Sequence, residues 1–76
     1  MLKLENVKSS NVSAIGYDEN KKELYIKYNT NAVYKYLNVP KFIFDNMKAA
    51  KSIGKYVTEY VKCAGYSYEK VESLED

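Results

Sequence analysis

The segment Ser52–Tyr56 combines a hydroxyl, a glycine and a lysine at the predicted start of a helix. Unpaired backbone N–H groups and the positive end of the helix dipole favour an anion such as phosphate at such a place. Ser52, Gly54 and Lys55 are therefore candidate ligand-binding residues. A structural explanation fits the same residues: Ser52 caps the helix, and Gly54 eases close packing.

Tyrosine is the second feature with binding chemistry, since it occurs nine times in a chain without Trp. A tyrosine ring can stack on a nucleic-acid base, which is worth about 1–3 kcal/mol per base. Tyr34, Lys35 and Tyr36 share one predicted strand and are candidates for such contacts. The same basic and aromatic sheet face is predicted to include Tyr25, Lys27, Lys51 and Lys55. The alternative is that one row of tyrosines lies under the helices and completes the core.

Catalytic and metal chemistry is poorly represented in this sequence. The chain has no His and a single cysteine, Cys63, so it contains neither a Cys/His nucleophile pair nor a Cys/His metal cluster. Its carboxylates fall mostly in predicted turns and in the C-terminal tail, without a spaced pair. We therefore predict a protein that is not an enzyme and that uses no metal or cofactor. Cys63 is expected to be a small, buried packing residue.

Three segments with alternating polar and apolar residues predict β-strands. These strands are Val12–Tyr17, Glu23–Tyr28 and Ala32–Leu37. Short polar turns at 18–21 and 29–31 join them, which predicts an antiparallel meander. Gly16 is expected at a bend or bulge.

After residue 39 the apolar residues recur at helical spacing, which predicts one or two helices packed on one face of the sheet. The first helix begins at Pro40, and its apolar residues are Phe42, Ile43, Met47 and Ala50. The second runs from Gly54 to Ala64 behind a Ser52 cap, and its apolar residues are Tyr56, Val57, Tyr60 and Val61. Gly65 is the predicted stop, and Tyr66–Tyr68 a short extended piece. The predicted fold class is α+β.

Length and charge place these elements in one domain. The chain has 76 residues, 46% hydrophobic and 29% charged, which is typical of a single folded domain over residues 1–76. An acidic tail at 69–76 leaves residues 1–68 with 11 Lys and six acids, a net charge of +5. No apolar run approaches the roughly 18 residues of a membrane span, and the first residues lack the apolar core of a signal peptide. We expect a cytoplasmic protein.

Several motifs follow one another in a fixed order. They are Ser9-Ser10-Asn11, Gly16-Tyr17-Asp18, Leu24–Tyr28, Tyr34-Lys35-Tyr36, Val39-Pro40 and Ala50-Lys51-Ser52-Ile53-Gly54-Lys55-Tyr56. In this order they resemble the KTSC domain, found at the C-terminus of some lysyl-tRNA synthetases and as free-standing proteins of bacteria and phages. The resemblance covers about residues 7–68, implies RNA binding, and adds Ser9 and Ser10 to the candidate ligand-binding residues. Two positions depart from the family pattern: Asn31 stands in place of a usual Gly, and Lys62 in place of a frequent Arg.

Two classes of function fit these observations. The first is a small binding module for RNA, another nucleic acid or a phosphate ligand such as a nucleotide, and the basic body and the tyrosines favour it. The alternative is a protein-interaction factor, encoded by a phage or mobile element, that acts as an oligomer and inhibits or sequesters a host component. The expected partners are thus nucleic acid or nucleotide, a second copy of the chain, or a host protein, and no membrane.

Overall fold

Five antiparallel strands form a single sheet in the computed structural model, which describes residues 4–71. In chain order, which is also their order in the sheet, they are β1 (Glu5–Asn6), β2 (Val12–Asp18), β3 (Glu23–Tyr28), β4 (Val33–Tyr36) and β5 (Tyr68–Val71). The predicted α+β class is confirmed, and the predicted meander forms the centre of the sheet as β2 to β4. The sheet is larger than the predicted three-stranded meander, since β1 and β5 add one strand at each edge.

Two helical segments follow the fourth strand. Helix α1 (Lys41–Ala49) begins directly after Pro40, one residue later than predicted, and helix α2 (Ile53–Val57) follows after a short break. The chain continues from α2 into a π-helical segment, Thr58–Lys62, in which Cys63 N donates to Thr58 O five residues earlier. Gly65 then adopts φ +88°, a left-handed conformation that suits the predicted stop.

The core lies between the helices and one face of the sheet. The sheet contributes Val12, Ile15, Leu24, Ile26 and Tyr36, and the segment after β4 contributes Val39, Ile43, Phe44, Met47, Val57 and Val61. Full burial of one such aliphatic side chain contributes about 1.5–3 kcal/mol relative to exposure. The core therefore fixes which face of each strand looks towards the helices.

Some predicted core positions are exposed instead. Phe42 is 61% exposed, and α1 buries Phe44 instead. Tyr60 is 51% exposed, whereas Val57 and Val61 from the same predicted set are buried. Cys63 is also exposed, so the prediction of a buried packing residue is wrong. It follows the last turn of the π-helical segment, where the chain leaves the core.

The irregularity in β2 lies earlier than predicted. Gly16 pairs regularly with Tyr25, whereas the register with β3 shifts between Val12 and Ala14. Ser13 occupies the shift, and its hydroxyl donates at 3.3 Å to Lys27 O, satisfying a carbonyl beside the irregularity.

The first residues of the acidic segment 69–76 belong to the sheet. Glu69 and Lys70 belong to β5, where Glu69 stands opposite Lys35 of β4. Opposite charges across neighbouring strands favour this pairing, and charged residues are common on edge strands. The remainder of the predicted tail, residues 72–76, lies outside the described residues.

Candidate functional site

An open cleft of about 650 Å³ lies on the helix side of the sheet. Four tyrosines line it, and we call it the tyrosine cleft; they are Tyr28, Tyr34, Tyr36 and Tyr68. Its remaining polar side chains come from Ser10, Asn11, Asn29, Thr30 and Lys62. The cleft thus combines aromatic walls, neutral hydrogen-bonding groups and one cation.

Strand register brings three of the tyrosines to one face. Tyr36 stands opposite both Leu24 of β3 and Tyr68 of β5, and directly opposite residues point to the same side of a sheet. Tyr34 lies two residues from Tyr36 and shares that side. The centroids of the Tyr34 and Tyr68 rings are 5.8 Å apart in an edge-to-face arrangement. Tyr68 is 60% exposed and remains accessible to a ligand.

Two hydroxyl groups meet between β3 and β4. The hydroxyl oxygens of Tyr28 and Tyr36 are 3.0 Å apart. Burial raises the pKa of Tyr36 above its ordinary value of 10.0, and the hydrogen bond with Tyr28 raises it further. Tyr36 is therefore neutral at physiological pH, and the pair offers a ligand a hydroxyl that either donates or accepts.

The cation of the cleft comes from the π-helical segment. Lys62 is its last residue, and its Nζ lies 5.9 Å from the centroid of the Tyr28 ring, within cation–π range. Segments of this kind are rare and occur frequently at functional sites, since the wider turn changes where the following side chains point. Here the segment delivers an ammonium group to the edge of the aromatic wall.

The opposite wall is the segment before β2, which hydrogen bonds hold against the end of β3. Asn29 N donates to Asn11 O at 3.0 Å, and Asn29 Nδ2 donates to Ser10 O at 2.9 Å. Ser10 therefore lines the cleft, whereas Ser9 Oγ accepts from Gly54 N of α2.

At the predicted anion site, the backbone amides of Gly54 and Lys55 already donate hydrogen bonds within the chain. Lys55 N donates to Ser52 Oγ at 3.3 Å, which is the helix cap, and Gly54 N donates to Ser9 Oγ at 3.0 Å. A Cβ on Gly54 would clash with Asn11 Oδ1, so the glycine permits close packing. Anion binding at this turn remains a prediction for the exposed Lys55 side chain alone.

A match to a family model identifies the family of this chain. The family model of the KTSC domain matches residues 8–66. The chain belongs to the KTSC domain family. A protein of Tsukamurella paurometabola is 37% identical to this chain over 59 residues. The match covers 78% of this chain and 88% of the Tsukamurella protein. An uncharacterised protein of Stutzerimonas stutzeri is 26% identical over 66 residues, covering 87% and 93%.

The fold of this KTSC domain is also found in a solved structure. The crystal structure of a KTSC domain protein from Yersinia pestis matches with a TM-score of 0.88 and 28% identity. The match covers 93% of this chain and 99% of the Yersinia chain. The two proteins thus share one fold over nearly their whole matched lengths.

The two departures from the family pattern take defined places in this KTSC domain. Asn31 has φ +72°, so it adopts the left-handed conformation for which glycine is the usual residue. Lys62 lies in the tyrosine cleft, where it supplies a point charge rather than the planar fork of Arg.

The predicted basic and aromatic face does not form as one surface. Lys35 lies on the opposite side of β4 from Tyr34 and Tyr36, because side chains alternate along a strand. Its Nζ is 3.8 Å from Glu23 Oε2 and 3.5 Å from Glu69 Oε1. Lys35 is therefore flanked by carboxylates on the sheet face that the helices leave uncovered.

Tyr25 belongs to this second face and has its own environment. Its hydroxyl donates to Glu23 Oε1 at 3.1 Å. Burial and this bond raise the pKa of Tyr25 to about 12. Lys27 shares the face, and Lys51 lies beyond α1, so neither joins the tyrosine cleft.

Several residues that line the cleft were not among the predicted site residues: Asn11, Tyr28, Asn29, Thr30, Lys62 and Tyr68. Tyr28 was visible on the same strand face as Leu24 and Ile26, which indicates its direction. The contribution of Tyr68 depends on pairing between β4 and β5, which is a long-range contact without a local signal. Within residues 4–71 no cluster of three or more potential metal ligands occurs, and no helix there has the length and apolar character of a membrane span.

Proposed function

We propose that this KTSC domain is a non-enzymatic binding module for single-stranded nucleic acid, with one base held in the tyrosine cleft. The observation that carries the proposal is the composition of the cleft: four tyrosines and Lys62, with no carboxylate among the lining residues described. A base needs an aromatic face, and its phosphate needs a cation. Both are present within one concave surface.

The energetics favour an unpaired base as the ligand. Stacking on an aromatic side chain contributes about 1–3 kcal/mol per base, and it requires a base that is free to leave its neighbours. The exposed ring of Tyr68 is the available stacking surface. The hydroxyl pair of Tyr28 and Tyr36 offers donors and acceptors to the edge of that base. Recognition by rotating hydroxyls accommodates more than one base.

The size and openness of the site fit a nucleic-acid strand better than a fully enclosed small molecule. Its volume of about 650 Å³ lies within the range of about 300–1,000 Å³ known for ligand pockets. The cleft is open to solvent, so the sugar and phosphates of a nucleic-acid strand have room to leave on either side.

The exposed free thiol of Cys63 fits a reducing compartment, which supports a cytoplasmic location.

A binding assay with paired variants tests this proposal. Fluorescence anisotropy with a labelled single-stranded RNA should show weaker binding for Tyr68→Ala and for Lys62→Ala, by about tenfold for loss of the stacking ring. Tyr60→Ala is the matched control, because Tyr60 is similarly exposed but lies on a different groove. Equal affinity for Tyr68→Ala and Tyr60→Ala would contradict the assignment of the site.

A second candidate function, contact with another protein, is favoured by a different surface. Phe42 and Tyr60 are both largely exposed and line a groove of about 410 Å³ between the two helices. Exposed aromatic residues are enriched at protein interfaces. Sedimentation of the chain should then show a species larger than 8.8 kDa that Phe42→Ser removes. A monomer at every concentration would argue against self-association through this groove.

A further inference from the structure

We infer that the tyrosine cleft is the first half of a longer track, and that the ligand is an oligonucleotide of at least two linked nucleotides rather than a free mononucleotide. This inference rests on the proposed function. A second groove, of about 270 Å³, adjoins the cleft and shares Ser10 and Asn11 with it. Ser10 and Asn11 line both grooves, and we call the boundary that they form the Ser10–Asn11 ridge.

The second groove has its own cation. Lys55 lines it, together with Gly54 and Thr58, and the lysine side chain is exposed. Among residues 4–71, neither Lys55 nor Lys62 takes part in an ion pair with a carboxylate. Both ammonium groups are therefore available to a phosphate.

Lys55 and Lys62 are spaced to contact successive parts of one nucleic-acid strand. They are seven residues apart in the continuous helical stretch formed by α2 and the π-helical segment, about two turns. Each borders the Ser10–Asn11 ridge, on opposite sides of it. A strand that places one base among the tyrosines and crosses this ridge brings a neighbouring phosphate to Lys55.

The anion in the second groove is held by the lysine side chain and not by the helix terminus. The amides of Gly54 and Lys55 already donate to Ser9 and Ser52. Glu59 also lines this groove, four residues after Lys55, and its carboxylate repels phosphate. The second groove therefore contributes less to the affinity for the oligonucleotide than the tyrosine cleft does.

Four probes separate the halves of the track: uridine monophosphate, thymidine monophosphate, a four-residue uridine RNA and a four-residue thymidine DNA. For the wild-type protein we expect each tetranucleotide to bind at least about tenfold more tightly than its mononucleotide. Lys55→Ala should weaken tetranucleotide binding about threefold to tenfold and lower the salt slope by about 0.7, as expected for one lost phosphate contact on a single strand. It should leave mononucleotide affinity unchanged. Glu59→Gln should strengthen tetranucleotide binding.

Lys21→Ala is the matched control, because Lys21 is an exposed lysine in the turn between β2 and β3. The RNA and DNA arms show whether the sugar contributes, and a longer-strand advantage in either arm supports the track. Equal affinities for mononucleotide and tetranucleotide, or no effect of Lys55→Ala on the tetranucleotide, would overturn the track while leaving the tyrosine cleft intact. Failure of all four probes to bind would overturn the proposed function as well.

Discussion

Individual tyrosines take different roles in this domain because they differ in the face of the sheet they occupy and, on the helix side, in the neighbours they contact. Tyr17 stacks on Phe44 of α1, with ring centroids 5.6 Å apart, and so joins the helix to the sheet. Tyr36 is nearly buried at the base of the tyrosine cleft. Tyr25 lies on the other side of the sheet beside Glu23. The number of tyrosines alone therefore says little about binding. The role of each tyrosine depends on its side of the sheet and on the residues it contacts.

Tyr25 should make the domain sensitive to alkaline pH. Its pKa is about 12 in the folded protein and 10.0 by the ordinary value. Above pH 10 the unfolded chain releases this proton while the folded chain retains it, so the unfolded state binds fewer protons and stability falls as pH rises. The raised pKa of Tyr36 acts in the same direction. Urea denaturation should thus show a falling free energy of unfolding from pH 10 to pH 12.

Tyr25→Phe is the control for this prediction, since it keeps the ring and removes the ionisable hydroxyl. Its free energy of unfolding should decline less steeply over the same pH window. Parallel declines for the variant and the wild type would show that Tyr25 does not carry the effect.

At the scale of elements, the contact that shapes the site is the packing of α2 on the segment before β2. Gly54 is buried there, its amide donates to Ser9 Oγ, and its Cα lies against the side chain of Asn11. The same segment forms a wall of the tyrosine cleft. Helix α2 and the tyrosine cleft are therefore linked through Ser9, Ser10 and Asn11, the three residues before β2.

Gly54→Ala should lower the free energy of unfolding by about 1–3 kcal/mol, the usual cost of overpacking, although alanine is the better helix former by about 1 kcal/mol. The added methyl group would displace Asn11 and strain the bond to Ser9. Thermal denaturation followed by circular dichroism measures the loss. The double variant Gly54→Ala/Asn11→Gly makes room for the methyl group and should recover part of it. A stabilised Gly54→Ala would mean that the contact is loose.

The elements themselves follow largely from local sequence patterns. Strand β3 alternates cleanly and has its predicted bounds, and Ser52 caps α2 as its type indicates. The π-helical segment was not predicted, because its hydrogen bonds depend on packing and leave no mark in the apolar spacing. The predicted extended piece, Tyr66–Tyr68, overlaps β5 only at Tyr68. The rest of β5 was not predicted, since polar residues such as Glu69 acquire a partner only when β4 is already beside them.

At the scale of the whole molecule, the tyrosine cleft is assembled from parts that are distant in the sequence. Ser10 and Asn11 come from the segment before β2, Lys62 from the π-helical segment, and the tyrosines from β3, β4 and β5. The sequence shows the tyrosines and the lysine but not that they meet. That information lies in the order of strands, and especially in the return of the chain to pair β5 with β4.

The central claim is that the tyrosine cleft holds a base of single-stranded nucleic acid, and the most direct test is a titration of isotope-labelled protein with the four-residue uridine RNA, followed by NMR. Chemical-shift changes should concentrate at Ser10, Tyr34, Lys62 and Tyr68, with saturation at one RNA per chain. The amides around Phe42 and Tyr25 serve as internal references, because they lie outside the cleft, and should move little. Changes that centre on the Phe42 groove or the Tyr25 face, or no saturable change at all, would contradict the account.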